Sequence, residues 1–332
     1  MKIKFLLLCC IISVHVFAQN DTTVIKDTAM IKDTTVVDIS NELNNKQGAP
    51  GDVRPAAKVF YGQRLINANT VEVLRKGVME FRVIHNFGNV ADSAGVRNFF
   101  GLDGAFDVKI GFQIGLSDKT NILLARAKGA SSVSQLWEFG IKHQFLRQVV
   151  DDQKHPLSLT VFANVVASAA KATHNIDRET NFNSFGDRLS EIVQLMIARK
   201  FGSVSLQLSP TYLHKHYVIP GDQSDLFALG GGLRIPISKR FIFIADYFHT
   251  FRSQASKDLY YNLQRVHFYD ALGVGFEIVT QGHVFHMNFT NATEIDENRF
   301  ISRTTTTWGK GEFRWGFTIS RNFILFRDKK NR

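Results

Sequence analysis

The sequence predicts an all-β protein: a closed antiparallel up-and-down transmembrane β-barrel of about 12 strands, with short periplasmic turns and long external loops. Three observations lead there. Apolar and polar residues alternate along many segments, the connections between those segments alternate between short and long, and the first stretch reads as an export signal.

That first stretch opens with Lys2 and Lys4, continues through an apolar run from Phe5 to Val14, and reaches Val16-Phe17-Ala18 before Gln19. A basic start, a short apolar core and a small residue at the cleavage point make a secretory signal, whereas a spanning helix needs about 20 apolar residues. Residues 1–18 are therefore assigned to a signal peptide. The 2 cysteines, Cys9 and Cys10, both lie inside it. The exported chain then has no thiol for a disulfide, a thiolate nucleophile or a Cys-ligated metal.

The formal charge of +10 loses the 2 lysines of the signal and becomes +8. A basic balance suits nucleic acid, anionic lipid or an anionic solute, so its placement decides. Part of it sits in Arg327, Lys329, Lys330 and Arg332, a basic C-terminal tail at 327–332 that reads as solvated chain. No nucleic-acid partner is expected. The partners expected are outer-membrane lipid and the outer-membrane insertion machinery.

After the signal comes a hexad repeat, Asp21-Thr22-Thr23-Val24-Ile25-Lys26, Asp27 to Lys32 and Asp33 to Asp38, then a polar stretch with Asn44-Asn45-Lys46-Gln47-Gly48-Ala49-Pro50-Gly51. Neither can bury a core, so residues 19–58 read as a low-complexity periplasmic tail and linker. The repeat is also a candidate docking peptide for a periplasmic protein partner, adding a strand to that partner's sheet edge.

The barrel is assigned to residues 59–326. From about Gly77 onward the segments have period two and the length that a tilted membrane strand requires. Phe106, Val108, Ile110, Phe112, Ile114 and Leu116 alternate with Asp107, Lys109, Gly111, Gln113 and Gly115, and Trp137, Phe139 and Ile141 with Glu138, Gly140 and Lys142. Phe313, Trp315, Phe317 and Ile319 alternate with Glu312, Arg314, Gly316 and Thr318. A soluble sandwich alternates too, but its outer face would be crowded with long solvated side chains. Here the polar face is often Gly, Ala or Ser, as at Gly273 and Gly275, which suits the crowded interior of a narrow barrel.

Short turns fall at Ser117 to Lys119, Val149 to Pro156, Gly202-Ser203, Pro236 to Arg240 and Thr280 to Gly282; longer polar loops fall between them. Starting and finishing on the short-turn side places both termini in the periplasm. Two segments fit less well. These are 120–128 and 188–201, where Glu191 and Arg199 share parity with Leu189, Val193, Leu195 and Ile197.

The residues resemble a family of Bacteroidota outer-membrane β-barrel proteins catalogued as a domain of unknown function. The resemblance runs from Phe60 to Phe323, through Arg64-Leu65-Ile66-Asn67, Phe81 to Gly88, Phe100 to Gly104, Pro210 to His214, Gly282 to Phe285 and Gly316 to Phe323. It implies an outer-membrane barrel and brings no substrate or catalytic residues.

Few constellations could do chemistry. His214-Lys215-His216 has ligand-like spacing on an extended segment but lacks a third ligand. His85, His143 and His249 have serines nearby in sequence without a nucleophile elbow. No enzymatic activity, cofactor or metal is expected. The residues expected to line the lumen are Glu80, Arg82, Asp107, Lys109, Glu138, Lys142, Asp246, Glu277, Glu312 and Arg314. Their mixed signs read as an ion-pair ladder rather than a basic filter. The function expected is a passive channel for small polar solutes; the alternative is a closed barrel with a structural or assembly role, binding a periplasmic partner through its N-terminal tail.

Overall fold

Period-two alternation becomes a wall of strands. The computed structural model describes residues 56–91, 95–280 and 282–326; the signal, the hexad repeat, most of the linker and the basic C-terminal tail lie outside the described residues. Twelve strands run in chain order: β1 (Val78–Asn89), β2 (Ala105–Gly115), β3 (Thr120–Ala127), β4 (Leu136–Leu146), β5 (Ser158–Ser168), β6 (Leu189–Phe201), β7 (Val204–Lys215), β8 (Asp225–Pro236), β9 (Phe241–Phe251), β10 (Ala271–Val279), β11 (Val284–Thr290) and β12 (Arg314–Ile324). Each pairs antiparallel with its sequence neighbours, and β1 pairs with β12 to close the barrel. Closure satisfies every edge, which hydrocarbon demands.

The connections alternate as expected. One end has 116–119, 147–157, 202–203, 237–240 and 280–283; the other has 90–104, 128–135, 169–188, 216–224, 252–270 and 291–313. Two of the long connections contain helices, α1 (Gln254–Gln264) and α2 (Glu297–Arg303). Phe106, Ile110, Phe112, Trp137 and Phe139 are exposed on the outer face while Asp107, Lys109, Gln113, Glu138 and Lys142 are buried inside.

The two doubtful segments have a definite register. In β3, Asn121, Ala125 and Ala127 point inward and Leu124 outward; in β6, Ile192, Gln194, Met196 and Ala198 point inward and Val193 outward. Glu191 and Arg199 therefore share the lipid-facing parity. They sit near opposite ends of the strand, about 26 Å apart along it at 3.3 Å per residue. There Glu191 meets His216 and Arg199 lies over the Phe201 ring.

Residues 56–76, which precede the first strand, fold into the lumen instead of extending the wall. Ala56 bridges to Val149, and the Ala57 N–H donates 2.8 Å to the Gln148 carbonyl, so this segment enters at the short-turn end. It turns back at mid-lumen, where the Leu65 N–H donates to Ala68 and the Thr70 N–H to Gln63, and returns to β1 at the same end. Val59, Phe60, Leu65, Ile66 and Val71 pack on Phe162, Met196, Ala198, Ile242 and Ile244 of the wall. From the opposite end the 291–313 connection dips inward, burying α2. Its Phe300 and Ile301 join Ala68 of the N-terminal segment and Ile192, Leu213 and Phe248 of the wall.

Candidate functional site: the occluded lumen

An irregular segment inside a barrel brings backbone N–H and C=O groups that have no ladder to join, and leaving them unpaired is costly. The wall supplies their partners. Asp246, midway along β9, accepts from three consecutive amides, Ile66 at 2.9 Å, Asn67 at 2.6 Å and Ala68 at 2.9 Å, and its second oxygen accepts from Asn67 Nδ2 at 2.8 Å. Lys142 Nζ donates to the carbonyls of Gln63 at 3.3 Å, Thr70 at 3.1 Å and Glu72 at 3.3 Å. Gln207 accepts from the Val71 N–H and donates to the Asn69 carbonyl, while Gln144 and Thr160 both donate to the Val71 carbonyl.

Space is made for the segment by inward glycines, among them Gly232 and Gly273. A Cβ on Gly232 would lie 2.7 Å from Leu65 Cδ1, and one on Gly273 would lie 2.7 Å from Ile66 Cγ2 and 2.8 Å from Asp246 Oδ1. Their smallness is a packing requirement of the plug.

The 291–313 connection is gripped in the same manner. Asp107 accepts from the Ile295 N–H at 2.9 Å and the Gly129 N–H at 2.8 Å. Lys109 pairs with Asp296 of the connection and with Glu138 of β4, which also accepts from Asn164 at 2.6 Å. Burial pushes the Asp296 carboxyl up to about 6, against the pull of Lys109. The two inward segments also touch each other: Arg64 Nη2 donates 2.7 Å to the Ile295 carbonyl, and Asn69 Nδ2 donates 2.7 Å to Glu297.

The remaining candidate lumen residues divide. Glu80 pairs with Arg82 within β1, and Glu277 takes Arg234 at 3.2 Å and His286 at 3.4 Å. Arg314 is buried at the start of β12, its Nη2 3.4 Å from Thr306 Oγ1. Glu312 differs from the expectation. It precedes β12 and accepts from the Thr307 N–H at 3.1 Å, so it closes the connection rather than lining the wall. The mixed charges are thus only partly a wall-to-wall ladder; Asp246, Asp107 and Lys142 hold plug backbone instead. A cavity of about 20 Å³ remains among Arg64, Glu80, Arg82, Lys109 and Gln113, room for about one water.

Over the long-loop mouth, several connections meet on α2. Glu179 takes Arg299 at 3.3 Å and Arg303 at 2.8 Å, Ser131 takes Arg299 at 2.9 Å, and Arg252 reaches both Asp222 at 2.9 Å and the Ser302 carbonyl at 2.7 Å. Burial alone would raise the Glu179 carboxyl, but the charges of Arg299 and Arg303 hold it well below the usual carboxylate range.

The histidines do not converge. His85 stacks on Phe317, His143 meets Thr120, and His249 meets Asp270. His214 and His216 stand 5.0 Å apart, each on its own carboxylate, Asp225 or Glu191. Among the described residues no group of three metal-ligating side chains gathers.

The plug was missed at the sequence level, although a trace of it is present. Phe162, Met196, Ile242, Ile244 and Phe248 have inward parity, and a water-filled lumen would not carry large apolar side chains there.

No curated protein matches this chain. Solved structures similar to it include the KdgM porin in complex with disordered oligogalacturonate, at 8% identity over 74% of this chain and 99% of that one, with a TM-score of 0.43. The NanC porin in a rhombohedral crystal form is 8% identical over 75% and 100%, at 0.44. LpxR from Salmonella typhimurium is 10% identical over 74% and 99%, at 0.32. The family model described as a membrane-bound β-barrel domain, DUF5777, matches residues 60–323, and the chain belongs to that family.

Proposed function

We propose that this barrel is a gated conduit for small polar solutes in the outer membrane, shut at rest by its own N-terminal segment. In this reading the long loops face outward, the short turns face the periplasm, and the N-terminal tail lies there. The supporting observation is how the plug is held. Asp246, Lys142 and Gln207 bond its backbone, so the blockage is a separable piece and the wall stays closed without it.

Single-channel recording of the chain refolded into bilayers tests this. The unaltered chain is expected to be silent, and Asp246→Ala, which strands three amides at about 1–3 kcal/mol each, to give brief conductance steps. A steadily open unaltered chain would overturn the gate. Silence from an Asp246→Ala barrel with a demonstrably loosened plug would overturn the conduit.

A second reading, a closed barrel with an assembly role, is favoured by where the plug begins. Ala56, the first described residue, lies against Val149 at the short-turn end. Photo-crosslinkers between Asp21 and Asp38 are expected to capture a periplasmic protein under this reading, and their failure to do so in cells sinks it.

A further inference from the structure

α2 is held from two sides, by connections of the long-loop mouth and by the mid-lumen turn of the plug. On its outer side Arg299 and Arg303 share the single carboxylate of Glu179. On its inner side Glu297 accepts from both the N–H and the side chain of Asn69 in the plug, while Ile295, just before the helix, accepts from Arg64 of the plug. A displacement of α2 therefore acts directly on plug hydrogen bonds. The same plug has its other end at Ala57, bonded to Gln148 beside the short turns.

The outer grip is short of carboxylates. Each guanidinium can bind a carboxylate through a two-pronged contact, yet Arg299 and Arg303 divide Glu179 between them; Glu294 and Ser131 add to Arg299, and Arg303 has only the neutral Gln264 amide oxygen besides. In the ion-pair cluster on the outer side of α2 four cations, Lys215, Arg252, Arg299 and Arg303, meet three carboxylates, Glu179, Asp222 and Glu294, while Glu297 of the helix turns inward to Asn69. Beside them lies a cavity of about 30 Å³ whose charged lining is Glu179, Asp187, Arg188, Lys215 and Arg299, with Asn298 among them. Asn298 is fully buried, and its Oδ1 has no hydrogen-bond partner among the described residues. An acceptor left unmet beside surplus guanidinium suits a ligand that brings a carboxylate and a hydroxyl together.

We propose that the barrel is an anion-responsive relay: a small hydroxy-carboxylate, taken by Arg299 and Arg303 in place of Glu179 at the long-loop mouth, loosens the N-terminal plug at the opposite end. Occupancy withdraws Glu179, α2 shifts with its new partner, and the Asn69–Glu297 and Arg64–Ile295 contacts part. Coupling of this kind is reciprocal, so loosening the plug also changes affinity at the mouth.

The test uses the chain from Gln19 onward, which contains no cysteine, with Ala57→Cys as the one thiol. Maleimide labelling of this buried position in proteoliposomes reads release of the plug. Citrate is the probe, against sodium chloride at equal ionic strength. The labelling rate is expected to rise severalfold and saturate with citrate. Arg303→Gln is expected to abolish that response, and Glu297→Ala to raise the basal rate and flatten the response. A rate unmoved by citrate, an equal rise in chloride, or an undiminished response in Arg303→Gln would overturn the relay. If Arg303→Gln fails to give the heat-modifiable mobility of a folded barrel, Arg303→Lys replaces it; this keeps the charge but loses the fork, and a weakened response is expected. Labelling reads plug movement whether or not the lumen conducts, so failure here is distinct from failure of the conduit.

Discussion

Ile110 and Gln113 lie three residues apart on β2 and meet different surroundings. Ile110 is exposed on the outer face at mid-strand, while Gln113 is buried and donates 3.1 Å to Gln63 of the plug. Ile110→Arg places a charge at mid-bilayer and is expected to cost about 2–4 kcal/mol. Gln113→Ala gives up one neutral hydrogen bond, about 1 kcal/mol. Urea titration of the barrel in lipid bilayers measures both, and equal costs would reject the assignment of faces. At this scale the sequence was legible because a strand sends successive side chains to opposite faces. What alternation could not reveal is the partner of an inward side chain. Asp246 and Glu277 read alike in sequence, yet one holds three plug amides and the other pairs with Arg234 and His286.

Between elements, the wall and the plug follow different rules. Wall strands satisfy their backbones with one another, so their pattern is local and the strands and connections could be traced from it. The 56–76 segment satisfies its backbone with side chains from distant strands, and it needs no period of its own. Its signature is instead in the wall, in inward apolar residues such as Phe162 and Met196 and in inward glycines. Two glycines separate these roles by experiment. Gly273→Val would drive side-chain atoms into Ile66, Asn67 and Asp246, whereas the space a Cβ on Gly231 would enter has only the Gln207 carbonyl at 3.9 Å. Gly273→Val is expected to expel the plug, raising thiol labelling at Ala57→Cys severalfold while the wall keeps its heat-modifiable mobility. Gly231→Ala should leave labelling unchanged. Similar labelling in the two variants would mean that the plug does not depend on the room Gly273 leaves.

For the whole molecule, closure at both ends makes stability depend on groups that are neither wall nor loop surface. Asp296 is the clearest, because burial pushes its carboxyl up to about 6 although Lys109 opposes the shift. Between the ordinary aspartate range near 4 and this raised value, the folded protein holds a proton that the unfolded chain has released. The folded state binds more protons in that window, so its stability rises as pH falls through it and declines as pH rises toward neutrality. Glu179 acts in the other direction but outside the window. Its carboxyl is held well below the usual range despite burial, so the latch on Arg299 and Arg303 survives mild acid and is lost only at much lower pH. The closed barrel is therefore expected to be more resistant to urea at pH 5 than at pH 7, by roughly 1 kcal/mol from this one carboxyl. Asp296→Asn should remove that difference, and an unaltered chain whose urea midpoint is flat or lower at pH 5 would show that acid does not tighten the closed state.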